Sequence, residues 1–175
     1  MDDMIRLIEP SIPSLRRYAR SLVSDPSEAD DLVQDCLERA IGRWGQRRKT
    51  SDARSWLFSI LHNLAVSRWR QIQRRGRHLA IDGVAEAALS LPASQSDGVQ
   101  HADLLRALAE LTPDYRAVIL LVGVEELTYA QTAEVLSVPI GTVMSRLSRA
   151  RERLAQLIAA DAASPVQRAH LRRIK

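Results

Sequence analysis

Between Thr128 and Leu157 the chain reads TYAQTAEVLSVPIGTVMSRLSRARERLAQL, the stretch that most restricts what it can fold into. Thr128 can cap a helix, and Gln131 three residues later can complete a capping box. Ala130, Ala133 and Leu136 share one face, where the small alanines would let another helix approach closely. Ser137-Val138-Pro139 then ends the helix, because proline lacks an N–H and disfavours an α conformation in the residue before it. From Ile140 the apolar residues recur as Ile140, Val143, Met144, Leu147, Ala150, Leu154 and Leu157, which predicts a second helix with one buried stripe. Thr142, Ser145, Arg146, Arg149 and Arg153 fall on its other face. The pattern is a helix-turn-helix whose second helix suits the DNA major groove.

Two amphipathic helices around a proline can also be an ordinary helical hairpin. Here the turn is short and the outward face carries Thr, Ser and Arg rather than the Glu/Lys mixture of a solvated helix. Arginine can bridge guanine O6 and N7 or grip a phosphate, so DNA is the better reading.

Seven aromatics and seven glycines among 175 residues, with few β-branched runs, predict an all-α protein. The formal charge is only +4, yet it is unevenly placed. Residues 25–38 hold six acids (Asp25, Glu28, Asp30, Asp31, Asp35, Glu38) and no base. Residues 68–78 hold five arginines (Arg68, Arg70, Arg74, Arg75, Arg77) and no acid. That asymmetry implies two kinds of partner, one of them polyanionic. Two aspartates among the first three residues and the lack of a long apolar run argue against a signal peptide or membrane span, so a cytoplasmic protein is expected. Cys36, the one cysteine, lies on an apolar stripe and reads as a buried structural thiol.

Taken in order, residues 1–10 read as a lead-in, with a first helix starting near Ser11 to Ser14 and burying Ile12, Leu15, Tyr18, Ala19 and Leu22. Asp25-Pro26-Ser27-Glu28 is a helix start, with an aspartate cap, proline at the first helical position and an acid in the first turn. Ala29, Leu32, Val33, Cys36, Leu37, Ala40 and Ile41 then keep helical spacing, opposite an acidic row of Glu28, Asp31, Asp35 and Glu38. Acids in a first turn complement the helix dipole, but Asp35 and Glu38 lie beyond it, which favours a basic protein partner. Gly42 to Asp52 reads as an exposed loop in which Trp44 is either a core plug or a stacking surface.

A third helix carries Ala53, Trp56, Leu57, Ile60, Leu61, Leu64 and Arg68, and ends in the basic run. Five arginines exceed what a helix dipole requires, and interleaved aromatics can stack on unpaired bases. Residues 76–100 lose periodicity and predict a flexible linker, with a short helix at Val84 to Leu89. Leu104, Leu105, Leu108 and Leu111 open a second module, and Thr112-Pro113 caps the nearly all-apolar helix through Ala117, Val118, Leu120, Leu121 and Val122. The tail after Asp161 is basic and expected to fray.

DDLVQDCLERA (Asp30–Ala40), RSWLFSILHNLAVSRWR (Arg54–Arg70) and ELTPDYRAVILL followed by the helix-turn-helix resemble, in this order and spacing, the sigma-70 family. The short length resembles its extracytoplasmic-function group, which keeps the second and fourth sigma domains. The resemblance implies domain 2 over 1–75, a linker over 76–100, domain 4 over 101–160 and a basic tail over 161–175. It implies docking of Asp31, Gln34, Asp35 and Glu38 on the β′ clamp helices of core RNA polymerase, with further contact to the β flap. Trp44, Asn63, Arg68, Trp69, Arg70 and Arg74 match the −10 surface; Pro139, Thr142, Ser145, Arg146, Arg149 and Arg153 match the −35 surface. A protein anti-sigma factor is a further implied partner, covering the acidic and −35 surfaces. Ser137 departs from the family, which usually has glycine in this turn. No receiver or extra C-terminal domain is expected.

The competing reading is a stand-alone helix-turn-helix regulator, though no dimer helix stands out. A module that only titrates an anti-sigma protein would need no DNA-facing arginines. An enzyme is the weakest reading, since His62, His78, His101 and His170 are scattered and there is no glycine-rich phosphate loop. No catalytic residue, cofactor or metal is expected, and His62 reads as a helix-surface residue.

Overall fold

A computed structural model describes residues 2–23, 25–47, 52–75 and 98–163. Its order is α1 (Asp2–Ile8), a 3-10 turn (Glu9–Ser11), α2 (Ile12–Leu22), α3 (Pro26–Arg43), a 3-10 turn (Trp44–Gln46) and α4 (Ala53–Arg75). After the gap come α5 (Gly98–Glu110), α6 (Pro113–Gly123), α7 (Tyr129–Leu136) and α8 (Ile140–Ala163). Among the described residues there is no strand, which agrees with the all-α expectation. The expected helix at 84–89, most of the linker, residues 48–51 and the tail from 164 lie outside the described residues.

The supposed lead-in is helical: α1 and the 3-10 turn run directly into α2, because Ile8 buries itself and Met4 packs against the same core. In α3 the capping expectation holds, with Asp25 Oδ1 accepting from the Ser27 N–H at 2.7 Å. The helix outlasts the expected break at Gly42 and ends at Arg43, while Ile41, expected inside, is exposed. Leu15, Tyr18, Leu32, Cys36, Leu57, Phe58 and Leu61 fill the centre of α2, α3 and α4, and each is almost fully buried. Cys36 is among them, its Sγ 3.4 Å from the Leu57 carbonyl, and burial pushes its thiol up to about 12.

α6, α7 and α8 form the second module around Val118, Val143 and Leu147. Helix α5 starts at Gly98, slightly before the expected boundary, and Leu104 stays exposed. Thr112 occupies the cap position of α6 without a side-chain hydrogen bond; Pro113 supplies the preset φ instead. In α7 the buried residues are Thr132 and Val135, whereas Ala130, expected on the packed face, is exposed.

The two modules are packed together. Leu120, Leu121, Leu127 and Val135 of the second join the main core built by α2, α3 and α4. Burying each such side chain is worth about 1.5–3 kcal/mol. Arg116 reinforces the seam, donating to the Leu108, Ala109 and Leu111 carbonyls at the end of α5 and, at 3.2 Å, to the Ser21 carbonyl of α2.

Candidate polymerase- and DNA-facing surfaces

Helix α3 carries the acidic row on its solvent side because the opposite side holds Ala29, Leu32, Val33, Cys36 and Ala40 in the core. Asp31, Gln34 and Glu38 are exposed, and the Gln34 amide donates to Glu38 at 3.1 Å. Asp35 differs from these. It is half-buried and accepts from Arg68 Nη2 of α4 at 2.8 Å, which ties an expected docking residue to an expected −10 residue.

The −10 set is only partly assembled. Asn63, Arg70 and Arg74 recur at helical spacing along one exposed face of α4. Trp69 is 54% exposed and lines a cleft with His62, Ala65 and Val66. Trp44 is not with them. It packs edge-on against Trp56 with ring centroids 5.9 Å apart, under the Arg47 guanidinium at 4.7 Å. At about 1.5 Å rise per residue, Trp56 lies roughly 20 Å along α4 from Trp69. Trp44 is therefore a half-buried brace at the end of α3, supported against the core.

The helix-turn-helix has the expected construction. Thr128 Oγ1 accepts from the Gln131 N–H at 3.2 Å, and Gln131 Oε1 accepts from the Thr128 N–H at 2.9 Å. Ser137 adopts the left-handed conformation, φ 54° and ψ 45°, and the Val138 N–H returns to the Ala133 carbonyl at 3.0 Å. The Pro139 carbonyl then accepts from the Thr142 and Val143 N–H groups at 2.9 and 3.2 Å, which starts α8.

The stripe expected on α8 is narrower than its periodicity implies. Val143, Leu147 and Ala150 are buried, but Ile140 and Met144 are 48% and 51% exposed. Ile140 and Met144 form a row four residues apart, beside the Val143–Leu147–Ala150 row that packs into the core, so two of the seven apolar positions face outward. Pro139, Ser145, Arg149 and Arg153 are exposed as expected; Ser145 donates to the Thr142 carbonyl at 3.1 Å, and Arg153 to Gln156 at 3.4 Å. Thr142 and Arg146 are half-buried, and Arg146 Nη2 pairs with Asp114 Oδ2 of α6 at 2.7 Å. Sequence reasoning missed Ile140, Met144 and Ser148 as outward residues of α8.

Arg146 and Asp114 also line the cleft that holds Trp69 and Arg70, a space of about 680 Å³ between the modules. His62 lies at its edge rather than on an open helix face. Its Nδ1 shares a hydrogen bond with the Tyr18 hydroxyl at 3.1 Å. Burial lowers its pKa to about 4, with the nearby Asp114 acting to raise it and Arg146 to lower it. The Tyr18 phenol is pushed well above its usual range, first by burial and then by the charge of Glu125.

Among the described residues no helix is long and apolar enough to cross a membrane, and no group of His, Cys, Asp and Glu could hold a metal ion. Comparison with known proteins matches residues 8–62 to the sigma2 domain of PhyR and residues 101–154 to sigma-70 region 4. The chain is 35% identical to the ECF RNA polymerase sigma factor EcfG of Rhodopseudomonas palustris, over 87% of this chain and 83% of that one. It is also 35% identical to the RNA polymerase sigma-E factor of Streptomyces coelicolor, over 85% and 82%. Among solved structures it resembles the sigma factor RpoE of Bartonella quintana, determined in complex with the anti-sigma factor NepR, at TM-score 0.75 and 32% identity, covering 92% of this chain and 99% of that one. On the two modules, their order and these relatives, the chain belongs to the extracytoplasmic-function group of RNA polymerase sigma factors within the sigma-70 family.

Proposed function

We propose that the surfaces divide the work of initiation as follows. Residues 1–75 form the polymerase- and −10-binding domain, and 101–160 the −35-binding domain. Asp31, Gln34 and Glu38 dock on basic helices of core polymerase, with Asp35 held in register by Arg68. Asn63, Arg70 and Arg74, with Trp69 beside them, follow the melted −10 strand, where an exposed indole can stack on an unpaired base. The N-terminal turns of α8 enter the major groove at the −35 element. There Ser145 and Arg146 meet base edges, Ile140 and Met144 offer apolar contact to thymine methyl groups, and Arg149 and Arg153 hold phosphates. The protein performs no covalent step itself and acts in the cytoplasm, where polymerase works. An anti-sigma protein, as found with the Bartonella relative, covers the acidic and −35 surfaces when transcription is off.

The observation that carries this reading is the separation of surfaces. An exposed acidic row on α3 sits in one module with the arginines of α4, and the arginine-bearing α8 stands in the other. The discriminating experiment compares two variants. Asp31→Lys should weaken binding to core polymerase while leaving binding to −35 DNA intact. Arg146→Ala should do the reverse, losing about 1–3 kcal/mol of promoter discrimination if its base contact is bidentate. Equal loss of both activities in both variants would overturn the division.

A further inference from the structure

Helix α8 carries a single methionine, and its thioether faces solvent. Met144 is 51% exposed, one turn beyond Ile140, and Ser148 one turn further on is exposed as well. The three stand in an open row beside the buried Val143–Leu147–Ala150 row. Of the other methionines, Met4 is half-buried against the main core and Met1 lies outside the described residues. Cys36, the chain's one thiol, is fully buried. Burial pushes that thiol up to about 12, so it stays protonated and slow towards oxidants at neutral pH. Among the described residues, the oxidisable sulfur that solvent reaches most readily therefore lies on the helix assigned to −35 DNA.

We propose that Met144 is a peroxide-sensitive modification site, whose oxidation to the sulfoxide loosens α8 from the −35 element and leaves polymerase docking intact. This rests on the proposed −35 surface. In the reaction the sulfur lone pair attacks one oxygen of hydrogen peroxide, the O–O bond breaks, and the second oxygen leaves as water. Sulfur gives up two electrons and the peroxide takes them. The product replaces a flexible apolar side chain with a polar, chiral one. A thioether gives a thymine methyl an apolar neighbour, whereas a sulfoxide oxygen at the same place must shed water and meets only a methyl group. Arg146, Arg149 and Arg153 keep their charges, so DNA binding weakens rather than vanishes. The exposed position means that the added oxygen disturbs little of the fold itself. The acidic row lies on α3, which contains no methionine, so docking is spared. Methionine sulfoxide reductases reverse the oxidation, which makes the change a reversible signal rather than only a lesion.

The test treats the full chain with hydrogen peroxide, removes the peroxide and maps the oxidised residues by mass spectrometry. Met144 should gain oxygen well before Met4. Bound to core polymerase and titrated with a promoter fragment obtained by start-site mapping, the oxidised protein should show an affinity lower by about three- to tenfold. The salt dependence should keep its slope, since no phosphate contact is lost, whereas a distorted helix would flatten it. Binding to core polymerase and the melting temperature should not change. Methionine sulfoxide reductases for both epimers should restore the promoter affinity. Met144→Leu cannot form a sulfoxide, so its affinity after peroxide should equal its own untreated value. Slower oxidation at Met144 than at Met4, unchanged promoter affinity in the oxidised chain, or an equal loss in peroxide-treated Met144→Leu would overturn the proposal. Failure of the untreated complex to bind the promoter fragment would overturn the −35 assignment and the proposed effect with it; normal binding that oxidation leaves unchanged would overturn the switch alone.

Discussion

Arg146 of α8 reaches back to Asp114 at the start of α6, Nη2 to Oδ2 at 2.7 Å, so the arginine expected at the −35 element is already paired within the protein. Asp114 is largely exposed, which makes this a surface-type pair worth about 0–1 kcal/mol. DNA binding must exchange that carboxylate for a base edge or phosphate. Asp114→Asn should therefore raise affinity for a −35 duplex about two- to fivefold, within the range such a pair can contribute. A titration of labelled duplex at fixed salt checks it, and unchanged or weaker binding would show that Asp114 does not compete with DNA.

Ser137 departs from the family's usual glycine, and its φ of 54° places a side chain where L-residues are disfavoured. Ser137→Gly relieves that strain, at the expense of a more flexible unfolded chain. The net expectation is a gain of about 0.5–1 kcal/mol, or roughly 1–4 °C in Tm for a chain this long. Thermal unfolding measures it, and a lower Tm would mean that the serine makes a compensating contribution.

His62 gives the protein a specific acid sensitivity. Its folded pKa of about 4 lies below the ordinary 6.5, so between these values the unfolded chain binds more protons at this site. The stability it contributes is complete above about pH 6.5 and is lost as pH falls towards 4. The groups facing it are Tyr18 from α2, Asp114 from α6 and Arg146 from α8, so protonation also disturbs the seam between modules. His62→Gln, which can still hydrogen-bond Tyr18, should lose less stability than the unsubstituted protein between pH 7 and pH 4.5. Denaturant melts at both pH values decide it, and parallel losses would assign the acid sensitivity to other groups.

The elements of this fold were legible where local chemistry decides them. Asp25-Pro26 and the Thr128–Gln131 box announce helix starts, and both form the expected hydrogen bonds. The acidic row of α3 and the exposed arginines of α4 and α8 could also be read from spacing alone. The misses arise where one module meets another or where a helix carries more apolar side chains than its neighbours cover. Ile140 and Met144 fit an apolar stripe, but nothing in the periodicity says that only the Val143–Leu147–Ala150 row of α8 meets a packing partner. Glu125 and Glu126 look alike as sequence; only the backbone turn sends one inward between two arginines. His62 and Trp44 took their surroundings from Tyr18 and Trp56, 44 and 12 residues away, contacts that no local pattern records.

The most direct measurement is transcription by core polymerase from the same host across sheared host genomic DNA, with 5′ ends mapped, with and without the protein. New start sites are expected that share an upstream pair of elements near −10 and −35 and appear only when the protein is added. They should fade with Arg146→Ala through lost −35 selectivity, and with Asp31→Lys through lost docking. No start site above core polymerase alone would contradict it.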